Sequence, residues 1–411
     1  MKAIIVGAGI GGICTALMLQ GRGIECELYE QAGEVRELGV GLTLLPHAVK
    51  QLAELELLAE LDRTAIRSAH LFFLTRRGQG VWDEPRGLGA GYDVPQFFIH
   101  RGKLHGVLHE ALRRSAPSAL RLDRRLTEYS QSRGRVAATF IDGDGRAHDA
   151  EGDLLIGADG IHSAVRRQML PQEGAPRWSG LMLWRGAVER PDFLDGASVM
   201  ILGGVDAKFV IYPIAPGSRP GVKLTNWAVI MRLAPEGSEP PSGENWSKVG
   251  RRSELTPYLD RFHSDVVDLE QVVAATETFW EYPMCDREPI DDWTRGHATL
   301  LGDAAHPMYP MGANGASQAI LDARCLADQL ARTGDIAAAL AAYQAERIPK
   351  TTGIVLLNRK SGPEGVIDAV ESRAPDGFAD IEQVMSRAER QEFMTNYAQR
   401  AGFSVAQLAR R

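Results

Sequence analysis

The stretch that decides the fold is Lys2–Gln31, KAIIVGAGIGGICTALMLQGRGIECELYEQ. Ala3–Val6 reads as a short buried strand. It breaks into Gly7, Ile10 and Gly11 around the spacing Gly7-x-Gly9-x-x-Gly12, and Ile13 to Leu19 then carries apolar residues at helical spacing. Gly21 and Gly23 stop that helix, and Ile24–Glu30 alternates into a second strand. The first glycine suits a tight turn, the second lets a pyrophosphate approach the backbone, and the third lets helix pack closely on strand. The helix start offers free N–H groups and a positive dipole end to phosphates. Glu30, 18 residues after Gly12, is placed to accept hydrogen bonds from a ribose diol. The pattern implies a dinucleotide and leaves FAD or NAD open.

Two later segments repeat the strand–turn–helix grammar. DLLIGADGIHSAVRR (153–167) predicts a strand Leu154–Ile156, a turn at Gly157–Gly160 holding Asp159, and a helix capped by Ser163. Asp159 reads equally well as a cofactor contact or as part of a capped turn. HATLLGDAAHPMYPMGANGASQAILDARCLADQLA (297–331) predicts a strand Ala298–Leu301, then Gly302-Asp303, then a loop stiffened by Pro307 and Pro310. Gly312 and Gly315 open the backbone to a ligand ahead of a helix from about Ala316, with Ala319, Ile320, Ala323, Leu326 and Ala327 on its apolar face. A second anion-binding helix start suits a flavin ring that gains negative charge on reduction.

Outside these segments, LMLWRGAVE, SVMILGG, KFVIYPIA and NWAVIMRLA (between 181 and 234) read as strands of a substrate-covering antiparallel sheet. Trp184, Tyr212, Trp227 and Met311 are candidate pocket walls, each also readable as core, with Tyr212 favoured because it precedes Pro213 near a strand end. Arg185 fits a substrate carboxylate or a structural ion pair. His47, after the Gly39–Gly41 loop, is either at the flavin's reactive side or an exposed residue at a helix start. Asp335–Lys360 predicts an Ala-rich helix, and Ile381–Arg411 predicts surface helices, with a dimer contact as the lesser reading.

Together the three motifs resemble the single-component FAD-dependent aromatic hydroxylases of the para-hydroxybenzoate hydroxylase type, from Met1 to about Pro349. The resemblance implies an α/β fold: a Rossmann-like FAD-binding domain with an inserted antiparallel-sheet substrate domain and C-terminal helices. The corresponding division is 1–70, 98–170 and 285–350 for FAD, 71–97 and 171–284 for substrate, and 351–411 for the helical end. It implies that Arg101, which opens the helix in HRGKLHGVL (100–108), binds FAD, and that Glu30 binds the adenosine ribose. Asp303 would meet the ribityl or pyrophosphate region. Pro310, Gly312, Ala313, Asn314, Gly315 and Ala316 would lie against the isoalloxazine, and Gln31, Val40, Gly41 and Leu126 complete the FAD set. Ser317 departs from the family's Asn beside the flavin.

GVGLTLLPHAV, VWDEPRG, PQFFIHRG, LMLWRGAVE, EYPMCDREPI and HPMYPMGANGASQAILDA look like the phenazine hydroxylases of that family. The resemblance implies reduction by NADH or NADPH and O2 addition at flavin C4a. The resulting hydroperoxide would hydroxylate an aromatic or heteroaromatic ring, in that branch with decarboxylation of 5-methylphenazine-1-carboxylate. Another FAD oxidoreductase on the same scaffold, or a dinucleotide-binding sensor, are the alternatives.

Composition sets bounds. With 46 basic and 53 acidic residues the net charge is 46 − 53 = −7, which argues against a nucleic-acid partner. Four cysteines without paired spacing (Cys14, Cys26, Cys285, Cys325) suit the cytoplasm. There is no HExxH or Cys/His cluster for a metal, no apolar run long enough to span a membrane, and nothing that separates monomer from homodimer. No residue stands out as a general base.

Overall fold

The computed structural model describes residues 1–34, 40–241 and 248–408. The Gly39 end of the Gly39–Gly41 loop and residues 409–411 of the expected last helix lie outside them.

The quoted opening forms the strand Lys2–Val6, the helix Ile10–Gln20 and the strand Glu25–Tyr29. Lys2–Val6 is central in a six-stranded sheet. Glu25–Tyr29 and then Leu120–Arg121 lie parallel on one side; Leu154–Gly157 and then Ala298–Leu300 lie parallel on the other. Thr294–Arg295 closes the far edge, antiparallel. The three motif strands are thus adjacent although about 150 residues separate each from the next. Each of their turns leaves the sheet at the same, carboxyl end, where ligands of doubly wound sheets bind. Gly7 takes a left-handed φ of +98°, and a Cβ there would also sit 2.5 Å from the Ala158 carbonyl oxygen. A Cβ on Gly12 would lie 1.9 Å from the Gly7 oxygen, so only glycine lets this helix start so near the strand.

A seven-stranded sheet packs beside this lobe. Its order is Phe279–Asp286, Arg177–Pro191, Val222–Arg232, Ala207–Pro216, Val199–Leu202, His70–Leu74 and Gly80–Pro85. It is antiparallel except that Val199–Leu202 runs parallel to His70–Leu74, a departure from the expected all-antiparallel sheet. One face packs on a core that includes Trp184, Phe209, Trp227 and Phe279. The other faces the first lobe. Period-2 alternation decides the sides: Leu183 and Arg185 point one way, and Trp184 between them points the other.

The helix Gly315–Thr333 lies on Ile10–Gln20 and buries Ala319, Ile320, Ala323, Leu326 and Ala327, the face read from the sequence. The helix Ile336–Arg359 continues through Pro349, so the boundary expected at 350/351 falls inside one element. Beyond it, Arg387–Arg400 starts at a Ser386–Glu389 capping box. Its Met394 and Tyr397 are buried. The C-terminal helices are therefore not merely a surface pair: they close one side of the space between the lobes. No helix among the described residues is long and apolar enough to cross a membrane.

Candidate active site

A cavity of about 1030 Å³ runs between the lobes. That is at the upper end of small-molecule sites, which hold roughly 300–1,000 Å³. It begins at Glu30, Gln31 and Leu126, passes Gly7, Gly9, Ile10 and Gly11, and continues past Arg101 and Asp303 to the Pro310–Ala316 loop and Tyr212. Residues that the sequence spreads over some 310 positions, from Gly7 to Ala316, therefore share one wall.

At the first end, Glu30 accepts hydrogen bonds from the amides of Ala8 (2.8 Å) and Ala32 (2.9 Å), which fix its carboxylate beside the glycine turn. A Cβ on Gly9 would meet no protein atom within 4 Å, so this turn presents bare backbone to the cavity. Gly12 does not reach it; its part is the helix–strand packing. Asp159 lines the cavity, but its carboxylate accepts from the Ser163 hydroxyl (2.6 Å) and the Ala164 amide (2.7 Å) and so caps the next helix. The capped-turn reading is thus present in the structure, and Asp159 also borders the cavity.

Arg101 opens the helix Arg101–Ser115, with its amide bound to the Val40 carbonyl at 2.7 Å. Val40 contributes that carbonyl; its side chain is buried off the cavity wall. Gly41 serves a different contact, since a Cβ there would strike Ile214, Asn226 and the Tyr212 hydroxyl. Arg101 and Asp303 are exposed side chains that line the cavity, with protein atoms packed densely around them. Burial and the like charge of Arg185 lower the Arg101 pKa, and Asp303 opposes this. Burial raises Asp303, against the pull of His306 and Arg101.

The Pro310–Ala316 loop turns through left-handed backbone at Gly312 (φ +66°) and Ala313 (φ +54°). A non-glycine residue there persists only where its surroundings hold it. Tyr397 supplies part of that hold: its hydroxyl donates to the Met311 carbonyl at 3.2 Å and accepts from Asn314 Nδ2 at 2.8 Å. Asn314 is consequently fully buried behind the loop rather than on the ring side. Ser317 is buried too, its hydroxyl accepting from the Leu45 amide at 3.3 Å. Gly312, Ala313, Gly315 and Ala316 do line the cavity.

The substrate candidates divide. Tyr212, Arg185 and Met311 line the cavity. Tyr212 packs on Phe98 (5.0 Å between centroids), and burial pushes its hydroxyl up to about 12. Arg185 lies 5.8 Å from the Tyr282 ring and has no carboxylate within 4 Å among the described residues. Trp184 and Trp227 are corrections: both point into the opposite core, where their indoles donate to Glu281 (3.1 Å) and Thr276 (2.8 Å). His47 is a third: it is 1% exposed, hydrogen-bonded to Gln318 and stacked on Phe403.

Sequence reasoning missed Lys208 and Glu364, which meet as a buried ion pair in the cavity wall. Lys208 sits inside KFVIYPIA, where a cavity-facing cation two residues before Val210 was visible as an alternation signal. Glu364, beyond the motif region, carried none. The glycine cradle, the fixed Glu30 carboxylate and the open helix starts fit FAD along this wall.

The chain matches the family described as FAD binding domain over residues 1–356. It is 40% identical over 364 residues to phenazine 1,6-dicarboxylic acid hydroxylase PhzS of Lysobacter antibioticus, covering 87% of this chain and 88% of that one. It is 33% identical over 420 residues to 3-amino-4-hydroxybenzoate 2-monooxygenase PtnB3 of Streptomyces platensis, covering 100% and 98%. Its fold matches Klebsiella pneumoniae HpxO complexed with FAD and uric acid, with a TM-score of 0.74 at 24% identity, over 100% of this chain and 96% of that one. The chain belongs to the FAD binding domain family and is an FAD-dependent aromatic hydroxylase.

Proposed function

We propose that this enzyme hydroxylates a planar aromatic or heteroaromatic ring bearing one carboxylate, with NADH or NADPH as reductant and O2 as oxygen source. The observation that carries the reading is Arg185, a cation on the cavity-facing side of the substrate sheet with no acidic partner within 4 Å among the described residues, next to the ring of Tyr282. A guanidinium presents a fork that matches a carboxylate. The apolar floor beside it, Leu183, Ala228, Val210 and Ile230, suits a flat ring.

In this reading Glu30 holds the adenosine ribose, and Gly7–Gly11 with the helix start at Ile10 hold the pyrophosphate. Arg101 and Asp303 hold the ribityl region, and Pro310, Gly312, Ala313, Gly315 and Ala316 cover the flavin ring. When bound, FAD supplies the transfer of electrons from nicotinamide to O2 and of one oxygen atom to the substrate. The protein's part is placement. Tyr212 and Met311 wall the ring, Arg185 fixes its carboxylate, and the C-terminal helix Arg387–Arg400 excludes water from the reacting atoms. Loss of the carboxyl group accompanies hydroxylation where the attacked carbon is the one that bears it. We also infer the three-part division given above, with its boundaries moved off the strands His70–Leu74, Phe97–His100 and Phe279–Asp286 and to the end of the helix Ile336–Arg359, a reducing cytoplasmic setting, and a monomer or homodimer.

The test is substrate-stimulated NADH oxidation with a panel of aromatic acids and their neutral amides, with product masses read in parallel. Stimulation confined to the acids, with a product that gains one oxygen, supports the reading. Equal turnover of the amides refutes the carboxylate requirement.

A further inference from the structure

Lys208 and Glu364 are both almost fully buried, and their Nζ and Oε2 form an ion pair. The Lys208 ammonium also lies 3.0 Å from Met311 Sδ. Glu364 comes from the segment after Ile336–Arg359 and reaches across to the sheet, and both residues line the cavity. Removing two charges from water is expensive, and apolar residues of similar volume often do as well or better. The pair therefore invites a functional explanation.

Strand register relates it to Arg185. Lys208 is opposite Ile230 and Ile230 is opposite Leu183; Arg185 is opposite Ala228 and Ala228 is opposite Val210. On the cavity face, Lys208 thus lies two strands and two residues from Arg185, roughly 12 Å between Cα atoms from standard strand spacing and rise. Apolar side chains fill the floor between them. At this end of the cavity Arg86 is paired with Glu84 at 3.0 Å, Arg101 is opposed by Asp303, and Lys208 is paired with Glu364. Among the described residues Arg185, beside Tyr282, is the cavity-facing cation of the substrate sheet that has no carboxylate within ion-pair distance.

We propose that Glu364 sets the charge of the ring substrate: by neutralising Lys208 it restricts the cavity to ligands with one negative charge, seated on Arg185. The inference rests on the anionic-ring reading above. Without the carboxylate, Lys208 becomes a second anion site across the apolar floor, and a ring with carboxylates at both ends gains an anchor. Among the described residues Glu364 and Asp368 are the acidic groups beside Lys208; Asp368 already holds the Val205 amide at 2.9 Å. Burial lowers Lys208 to about 7, with Asp368 raising it, so its charge is best retained for the test at pH 6.

The experiment measures dissociation constants of 2-naphthoate and 2,6-naphthalenedicarboxylate for the FAD-loaded protein at pH 6, by perturbation of the flavin absorption spectrum. Wild type is expected to favour the monoanion at least tenfold. Glu364→Gln is expected to shift the ratio at least tenfold toward the dianion. A merely structural pair would weaken both ligands alike, so a ratio unchanged within twofold, with normal monoanion binding by wild type, overturns the assignment of Glu364 alone. Binding of neither ring to either protein overturns the anionic-ring reading and this inference with it. Should Glu364→Gln lose FAD or fail to fold, K208M/E364L removes both charges and leaves Arg185 as the anchor. That variant is expected to keep the wild-type preference, and loss of the preference overturns the proposal.

Discussion

Replacing Arg185 by Met removes the cation while keeping much of its apolar stem. The guanidinium is half-buried in the cavity wall, beside Tyr282 and within electrostatic reach of Arg101. A hydrogen bond to a charged group contributes about 1.5–3 kcal/mol, and each 1.4 kcal/mol is about a tenfold change in affinity. R185M is therefore expected to weaken 2-naphthoate binding by roughly ten- to a hundredfold, while the neutral 2-naphthamide changes less than about threefold. R185K keeps the charge but loses the planar fork, and its loss of affinity should fall between wild type and R185M. Arg185 also disfavours the charged form of Arg101 by like-charge repulsion. FAD binding should consequently hold steady or tighten in R185M, which separates a substrate effect from collapse of the site. Titration of the flavin spectrum gives both constants. A change below twofold for the acid, or an equal change for acid and amide, would show that Arg185 does not hold the carboxylate.

Further outcomes follow from other contacts. Gly12→Ala places a Cβ 1.9 Å from the Gly7 oxygen, so the purified protein should carry no FAD, read from its visible absorption. Trp227→Phe loses the hydrogen bond to Thr276 on the far side of the sheet, and should cost about 1–3 kcal/mol in denaturant unfolding while leaving the Kd for 2-naphthoate unchanged. Burial pushes Asp322 up, but His306 and Arg347 outweigh it and hold the carboxyl at about 2, below its ordinary 3.8. Because the folded value is the lower one, the stabilisation is complete above pH ~4 and is lost as pH falls toward ~2. It amounts to roughly 2 kcal/mol, and D322N should flatten that limb of the stability–pH curve.

How far the sequence could be read depended on the kind of signal each element carries. Gly7, Gly12 and the strand–turn–helix around Asp159 are local steric demands, and local demands show in a single stretch. Gly312 and Gly315 were legible for the same reason, and their adjacency to Gly7 came from three similar motifs that must share one sheet. Side choice along the substrate strands was harder. Trp184 and Arg185 are neighbours, and alternation says that they point oppositely without saying which meets the cavity; that depends on how the sheet packs on the other lobe. His47 and Asn314 are polar residues beside a ligand-binding loop, yet tertiary hydrogen bonds to Gln318 and Tyr397 draw them behind it. The partnership of Lys208 with Glu364 spans 156 residues: strand alternation marks the side Lys208 faces, but nothing at Glu364 signals it. The same is true of Tyr397, whose helix reads as solvent-facing until its contact with the Met311–Asn314 turn is seen.

Aerobic NADH oxidation by the FAD-loaded protein with an aromatic monocarboxylate separates a hydroxylase from a mere oxidase when reductant consumed, peroxide released and product mass are recorded in the same reaction. The hydroxylase should show a ligand-stimulated rate and a ring product that gains one oxygen, with peroxide a minor fraction of the NADH used. A flavin-loaded protein that binds the ring yet releases all its reducing equivalents as peroxide, with the ring recovered unchanged across the panel, would contradict that expectation.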